Sequence, residues 1–227
     1  MMPELVIFDC DGVLVDSEAL SVSALLAMIE RAGGRVSEDD AYEHFLGKSM
    51  KGVREILAHD FGVIIDDEHL AAMRADLMRR FREELKPMPG IAEILPRLGL
   101  PCCVASSGTL ERIRYALDVT GLLALLEPHL FSAAMVRRGK PAPDLFLHAA
   151  AAMRAQPNNC LVIEDSPAGV AAARAAGMRV FAFTGGSHAD NPALKARLAS
   201  TEPDFIFADM LQLPDLIAGL GAREKAS

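Results

Sequence analysis

The chain has 227 residues, of which 51% are hydrophobic, and a formal net charge of −8. It is long enough to bury a substantial core, its negative charge argues against a broad nucleic-acid surface, and its apolar runs are far too short to cross a bilayer. The residues before the first acidic motif lack the basic start and apolar length of a signal peptide. We therefore expect a cytoplasmic protein that binds neither nucleic acid nor membranes, with a monomer as the default state.

Short apolar runs bounded by turn residues predict buried strands. They lie at residues 5–8, 102–105, 161–163, 180–183 and 205–207. Helical stretches rich in Ala, Leu and Arg lie between them. They cover residues 110–117, 144–153 and 167–176. This alternation of strands and helices predicts an α/β fold with a parallel sheet and helices on both faces.

The segment at residues 17–87 interrupts the alternation, because its pattern predicts consecutive helices and no strand. Ser17 is expected to cap the first of these helices. Two prolines and a glycine at 87–90 end the last one and mark the return to the sheet. The sequence therefore predicts a core domain formed by residues 1–16 and 88–227, with an all-helical domain inserted at 17–87.

Polar side chains directly follow three of the predicted strands. They are Asp9 and Asp11, then Ser106, Ser107 and Gly108, and finally Glu164 and Asp165. Ligands bind beyond the carboxyl ends of strands in an open parallel sheet, so these residues should converge on one edge. Lys140 adds a cation from a Gly-Lys-Pro loop. Four acids near one point require a hard divalent cation, and oxygen ligands favour Mg²⁺.

A simpler reading of the first acid pair is a turn that caps a helix and has no chemical role. Asp9 and Asp11 alone leave both readings open, because acids are ordinary turn and cap residues. Side chains two apart on an extended segment do point the same way, so both carboxylates can face one site. The serine, the lysine and the second acid pair together favour the chemical reading.

Four segments resemble, in order, the four motifs of the haloacid dehalogenase-like hydrolase superfamily. They are the string from Asp9 to Glu18, Ser106 at the end of Val104-Ala105-Ser106, Lys140-Pro141-Ala142-Pro143-Asp144, and Glu164-Asp165-Ser166-Pro167-Ala168-Gly169. The resemblance covers essentially the whole chain and implies a Rossmann-like core. The helical insert is similar to the small cap of the β-phosphoglucomutase-like branch, and a cap would supply specificity by closing over the cleft.

The resemblance also implies a role for each matching acid. Asp9 would be the nucleophile that forms an acyl-phosphate, and it would bind Mg²⁺. Asp11 would be the acid–base residue, and its backbone carbonyl would also bind the metal. Asp165 would be a direct metal ligand, with Glu164 nearby or acting through water.

The remaining motif residues would contact the phosphoryl group. Ser106 and the amides that follow it, at Ser107 and Gly108, would hold the phosphoryl oxygens. Lys140 would neutralise charge on the nucleophile and the phosphate. Asp11 favours phosphoryl chemistry over carbon–halogen cleavage, because a general acid has value only for a basic leaving group.

The predicted substrate is a small phosphorylated metabolite, either a sugar phosphate or a phosphosugar acid such as 6-phosphogluconate. Lys48, Ser49 and Lys51 lie between two glycines in the insert, just before a helix expected near Val53, and could contact a distal anion of the substrate. An ordinary solvated loop is the alternative for this segment.

Two other functions stay open. A sugar phosphomutase is less favoured, because Leu20-Ser21 and Met50-Lys51 stand where the cap of β-phosphoglucomutase has a histidine and an arginine. A non-catalytic binding module is less favoured still, because a binder could lose Asp9 or Asp11 without penalty.

Overall fold

The computed structural model describes residues 2–45, 50–190 and 192–223. The chain forms two compact units. The first combines the chain up to Asp16 with the chain from Lys86 onward, and the second is Ser17–Leu85. The second unit therefore ends two residues before the predicted boundary at residue 87. None of the described helices is both long and apolar enough to cross a membrane.

The first unit contains a six-stranded sheet in which every pair of neighbouring strands is parallel. The strands are β1 (Leu5–Phe8), β2 (Cys102–Ser106), β3 (Leu130–Ser132), β4 (Cys160–Glu164), β5 (Arg179–Phe183) and β6 (Phe205–Phe207). Their order is β3-β2-β1-β4-β5-β6, so β1 lies between β2 and β4. The predicted α/β fold with a parallel sheet is confirmed. Strand β3 is additional to the five predicted strands.

The second unit contains helices and no strand within its described residues. The helices are α1 (Glu18–Arg31), α2 (Glu38–His44), α3 (Met50–Asp60) and α4 (Asp67–Glu84). Helices α1 and α4 pack against each other. Helix α4 buries Leu70, Met73, Leu77 and Phe81, which recur at the spacing of one helix face.

Two expectations about this unit need correction. Ser17 occupies the position before α1, but its side chain makes no capping hydrogen bond. Its backbone is helical, with φ −98° and ψ −13°, whereas a capping side chain requires an extended backbone to reach the helix amides. Helix α3 begins at Met50 rather than near Val53, so Lys51 lies in its first turn instead of a loop.

The remaining helices belong to the first unit. They are α5 (Ile91–Ile94), α6 (Leu110–Val119), α7 (Leu123–Leu126), α8 (Asp144–Ala152), α9 (Pro167–Ala175), α10 (Pro192–Ala199) and α11 (Leu213–Arg223). Alternate residues of the central strands, such as Leu5, Ile7 and Val162, form one buried cluster with apolar side chains of α8 and α9. The intervening strand residues, such as Val6 and Phe8, are buried as well. The central strands are therefore buried on both faces, which explains their continuously apolar sequences.

Candidate active site

The carboxyl ends of β1, β2 and β4 lie side by side at the centre of the sheet. Phe8, the last residue of β1, is in register with Val104 of β2 and Ile163 of β4. Asp9 follows immediately, and its amide donates a hydrogen bond to the Ile163 carbonyl at 3.0 Å. The chain then turns sharply at Gly12, whose φ of +75° is a conformation that other residues adopt at a cost. The register thus places Asp9 next to the ends of both neighbouring strands.

Lys140 links the ends of β1 and β4. Its ammonium Nζ lies 2.7 Å from Asp9 Oδ1 and 2.6 Å from Glu164 Oε1. Its side chain is only 4% exposed. Burial by itself lowers the pKa of Lys140, but the charges of Asp9 and Glu164 outweigh that effect and raise the pKa. Lys140 is therefore a charged residue that joins two buried acids.

Glu164 is fully buried and is held by protein donors at both carboxylate oxygens. Oε1 accepts from Lys140, while Oε2 accepts from the amides of Asp165 and Ser166 and from the Ser166 hydroxyl at 2.8–2.9 Å. A Cβ at Gly169 would lie 1.8 Å from Glu164 Cδ. The first turn of α9 can approach this carboxylate only because residue 169 is glycine.

Asp9 and Asp165 carry more negative charge than their surroundings neutralise. Burial raises the pKa of Asp9, and the charges of Glu164, Asp165 and Asp11 raise it further despite the opposing effect of Lys140. Burial and Glu164 likewise raise the pKa of Asp165. Such shifts indicate a site whose ionised form is stabilised by an added cation.

The donors that could hold this cation are limited. Within residues 2–45, 50–190 and 192–223, no group of three His, Cys, Asp or Glu side chains is arranged to hold a metal ion. Glu164 is engaged with protein donors, and Asp11 Oδ1 accepts from a guanidinium. A divalent ion at this edge would therefore rely on the carboxylates of Asp9 and Asp165 and on backbone oxygen. Those donors suit Mg²⁺, which usually takes one or two carboxylates and keeps several waters.

Arg112 is a residue of this region that the sequence analysis missed. Its Nη2 lies 2.7 Å from Oδ1 of Asp11, which is 101 positions away in the chain. Arg112 is the third residue of α6. A cation is unfavourable in the first turn of a helix because of the helix dipole. That unfavourable position was the one signal in the sequence that could have identified Arg112.

The loop after β2 is fixed by two buried serines. Ser106 is 1% exposed, and its Oγ accepts a hydrogen bond from the Gly108 amide at 3.1 Å. Ser132, at the end of β3, donates to the Gly108 carbonyl at 2.6 Å. Ser107, between them, is exposed. Ser132 was not predicted as part of this region, because β3 is too short to be recognised from its sequence pattern.

The structure therefore brings the predicted core residues to one edge of the sheet. Lys140 bonds directly to Asp9 and Glu164, while Asp11 and Asp165 are close enough to affect the pKa of Asp9. Lys48 and Ser49 lie outside the described residues, and Lys51 lies on α3 in the second unit.

Comparisons with known proteins agree with the motifs. Residues 3–177 match the model of a family described as haloacid dehalogenase-like hydrolase. The chain is 32% identical to the 6-phosphogluconate phosphatase of Escherichia coli (strain K12) over 216 residues, 94% of each chain. It is 33% identical to hexitol phosphatase A of the same organism, over 83% of this chain and 85% of that protein.

A solved structure shows the same fold. It is a conserved haloacid dehalogenase-like protein of unknown function from Agrobacterium tumefaciens, with a TM-score of 0.85 and 34% identity. The match covers 96% of this chain and 99% of that one. The chain therefore belongs to the haloacid dehalogenase-like hydrolase family and is one of its phosphatases.

Proposed function

We propose that this chain is a Mg²⁺-dependent phosphatase that hydrolyses a small phosphorylated metabolite through an aspartyl-phosphate on Asp9. The observation that carries the proposal is the buried bridge from Lys140 to Asp9 and Glu164 at the end of the central strand. The ammonium group of Lys140 favours the ionised carboxylate that a nucleophile requires, against the burial and the neighbouring acids that raise the pKa of Asp9. The bridge also leaves the positive charge of Lys140 close to any phosphoryl group that reaches Asp9.

The reaction would use Asp9 and Asp11 in two steps. An Asp9 carboxylate oxygen attacks phosphorus, the bond from phosphorus to the substrate oxygen breaks, and Asp11 gives its proton to that leaving oxygen. Water then attacks the phosphorus of the acyl-phosphate. Asp11 takes the proton of this water, the bond to Asp9 breaks, and inorganic phosphate leaves. Each residue ends in its starting protonation state.

Mg²⁺ would be held by the carboxylates of Asp9 and Asp165 and by the backbone carbonyl of Asp11. When bound, it would supply positive charge that offsets both the crowded carboxylates and the phosphoryl oxygens. The raised pKa values of Asp9 and Asp165 support this assignment, since both carboxylates gain from a cation. Ser106 and the amides at Ser107 and Gly108 would hold the phosphoryl oxygens.

We further propose a sugar phosphate or a phosphosugar acid as the substrate. The two curated relatives support this class, because their names specify 6-phosphogluconate and hexitol phosphates. Residues 17–85 would act as the specificity cap, with Lys48, Ser49 and Lys51 as candidate contacts to the distal end of the substrate. These three residues are the first to substitute once a substrate has been found.

The test is phosphate release from a panel of sugar phosphates, phosphosugar acids, nucleotides and glycerol phosphates, with Mg²⁺ and with EDTA. We expect release from at least one sugar or sugar-acid phosphate, reversible silencing by EDTA, and loss of turnover in Asp9→Asn. Asp215→Asn is the matched control, since Asp215 is exposed on α11. Acid-quenched enzyme digested for mass spectrometry should carry phosphate on the Asp9 peptide.

Other outcomes would overturn the proposal in distinct ways. Conversion to a positional isomer without phosphate release would show a phosphomutase. Tight binding without turnover would show a binding module. Substantial activity in Asp9→Asn would remove Asp9 as the nucleophile, and full activity in EDTA would remove the metal.

A further inference from the structure

Arg112 is more exposed than Lys140 and bonds to a different acid. The Lys140 side chain is 4% exposed and bonds to Asp9 and Glu164, whereas the Arg112 side chain is 29% exposed and bonds to Asp11. Asp11 is itself 16% exposed in its side chain. The site thus has an inner cation beside the proposed nucleophile and an outer cation beside the proposed acid–base residue.

The backbone of Arg112 is fixed at the start of α6. The Arg112 amide donates to the side chain of Thr109, the residue that caps this helix. Arg112 Nη1 lies 3.7 Å from the point that a Cβ on Gly108 would occupy, so the guanidinium borders the loop that follows β2. The guanidinium of Arg112 therefore lies beside both the proposed phosphate-binding loop and Asp11.

The contact with Arg112 restrains the Asp11 carboxyl group. Arg112 Nη2 donates a hydrogen bond to Oδ1 at 2.7 Å. This bond restrains rotation of the Asp11 carboxyl group. A catalytic acid works well only when it lies at hydrogen-bond distance from the atom it protonates.

We propose that Arg112 is a positioning residue that orients Asp11 for proton transfer to the leaving group. The inference rests on the proposed phosphatase function and deepens it. Arg112 acts through Asp11, so its removal should matter only where Asp11 matters. A sugar alkoxide is a poor leaving group and needs a proton, whereas p-nitrophenolate leaves readily without one.

The perturbation is Arg112→Gln, compared with Arg112→Lys and with a matched control. General acid–base catalysis contributes about 10²–10⁴-fold in rate, so misplacing Asp11 should lower kcat for a sugar phosphate by about 10–100-fold. KM should change by less than about threefold, and kcat for p-nitrophenyl phosphate should fall by less than about threefold. Arg112→Lys should retain more activity on the sugar phosphate than Arg112→Gln, because an ammonium group can still donate to Oδ1.

Arg114→Gln is the control. Arg114 lies on the same helix and pairs with Glu127, so the substitution removes an exposed ion pair without touching Asp11. Both substrates should be turned over at the wild-type rate. Thermal melts of all variants identify any loss of folding. If Arg112→Gln does not fold, the comparison of Arg112→Lys between the two substrates decides the question.

The closing experiment repeats Arg112→Gln in an Asp11→Asn background with phenyl phosphate, which has a leaving group of intermediate quality. We expect the effect of Arg112→Gln to disappear there, with less than about a twofold further change, because residues that act as a unit are not additive. An additive effect, an equal loss on both substrates, or a rise in KM with kcat unchanged would overturn the inference. An inactive wild-type enzyme would instead refute the proposed function itself.

Discussion

Substituting Gly169 by alanine tests the packing that holds Glu164 in the site. The added Cβ would lie 1.8 Å from Glu164 Cδ and Oε1 and 2.3 Å from Oε2. Real Cβ atoms do not come this close to other atoms, so either the first turn of α9 or the carboxylate must move. The carboxylate is fully buried and held by Lys140, Asp165 and Ser166. Either movement breaks part of this network.

The size of the effect follows from that network. Overpacking a core usually costs about 1–3 kcal/mol, and breaking a buried ion pair costs about 3–5 kcal/mol. The two costs describe alternative responses, so we expect Gly169→Ala to lower the free energy of unfolding by roughly 2–5 kcal/mol. For a domain of 150–250 residues, 1 kcal/mol shifts Tm by about 2–4 °C. A fall in Tm on the order of 5–20 °C is therefore expected.

The assay is a thermal melt of the purified variant beside Gly219→Ala. Gly219 lies within α11, and a Cβ there would meet nothing within 4 Å. Alanine is favoured over glycine inside a helix by about 0.5–1 kcal/mol, so this control should be neutral or slightly more stable. Phosphatase activity should fall in Gly169→Ala and stay unchanged in the control.

A double substitution separates the specific clash from general intolerance at residue 169. Glu164→Ala removes the carboxylate that the new Cβ would meet. Adding Gly169→Ala to Glu164→Ala should then lower Tm by far less than it does in the wild-type chain. If Gly169→Ala melts and turns over like the wild type, or if its cost is the same in both backgrounds, the proposed packing of Glu164 against α9 is wrong.

Three further perturbations test the charges and the loop. Lys140→Met should lower kcat by at least about 10²-fold, because it removes the cation beside the proposed nucleophile; a variant within tenfold of wild type by steady-state kinetics would argue against that role. In EDTA, Tm should fall as pH rises above about 4, because the raised pKa of Asp165 makes the folded protein bind more protons than the unfolded chain. Asp165→Asn should make Tm depend less on pH, since each tenfold difference in proton affinity between the folded and unfolded chain is worth about 1.4 kcal/mol. An unchanged dependence of Tm on pH would contradict the raised pKa of Asp165. Ser132→Ala should cost about 1–3 kcal/mol in a thermal or urea melt, because it leaves the Gly108 carbonyl without its buried donor; an unaltered midpoint would show that this bond does not hold the loop.

The central strands could be predicted from the sequence because they are buried on both faces. Strands β1, β2, β4 and β5 consist almost entirely of apolar residues, and the side chain that follows each strand lies at the ligand-binding edge in any parallel sheet. The order of the motifs then identified the family. These features are local in the chain, so they need no knowledge of tertiary contacts.

The features that the sequence analysis missed depend on distant parts of the chain. Strand β3 has three residues, Leu130-Phe131-Ser132, which are too few to show a pattern. It forms by pairing with β2, which lies far from it in the chain. Arg112 stands at an unfavourable place for a cation, but its partner Asp11 is 101 positions away in the chain, and only the fold brings the two together. Serine is a common residue at the N-cap of a helix, but the helical backbone of Ser17 prevents its side chain from capping α1.

The distribution of charge in the site could not be predicted by counting acids. Four carboxylates lie near this edge of the sheet, and counting them does not show which of them would bind a metal. The contacts distinguish them. Lys140 bonds to both Asp9 and Glu164, and Arg112 bonds to Asp11. The pKa values of Asp9 and Asp165 are raised. Two protein cations therefore face four acids, and ionising all four acids would leave an excess of two negative charges, which equals the charge of one divalent ion. Asp165 has one of the raised pKa values, so replacing it should change the dependence on the metal. Arg112 bonds to Asp11, so replacing it should change the response to the leaving group.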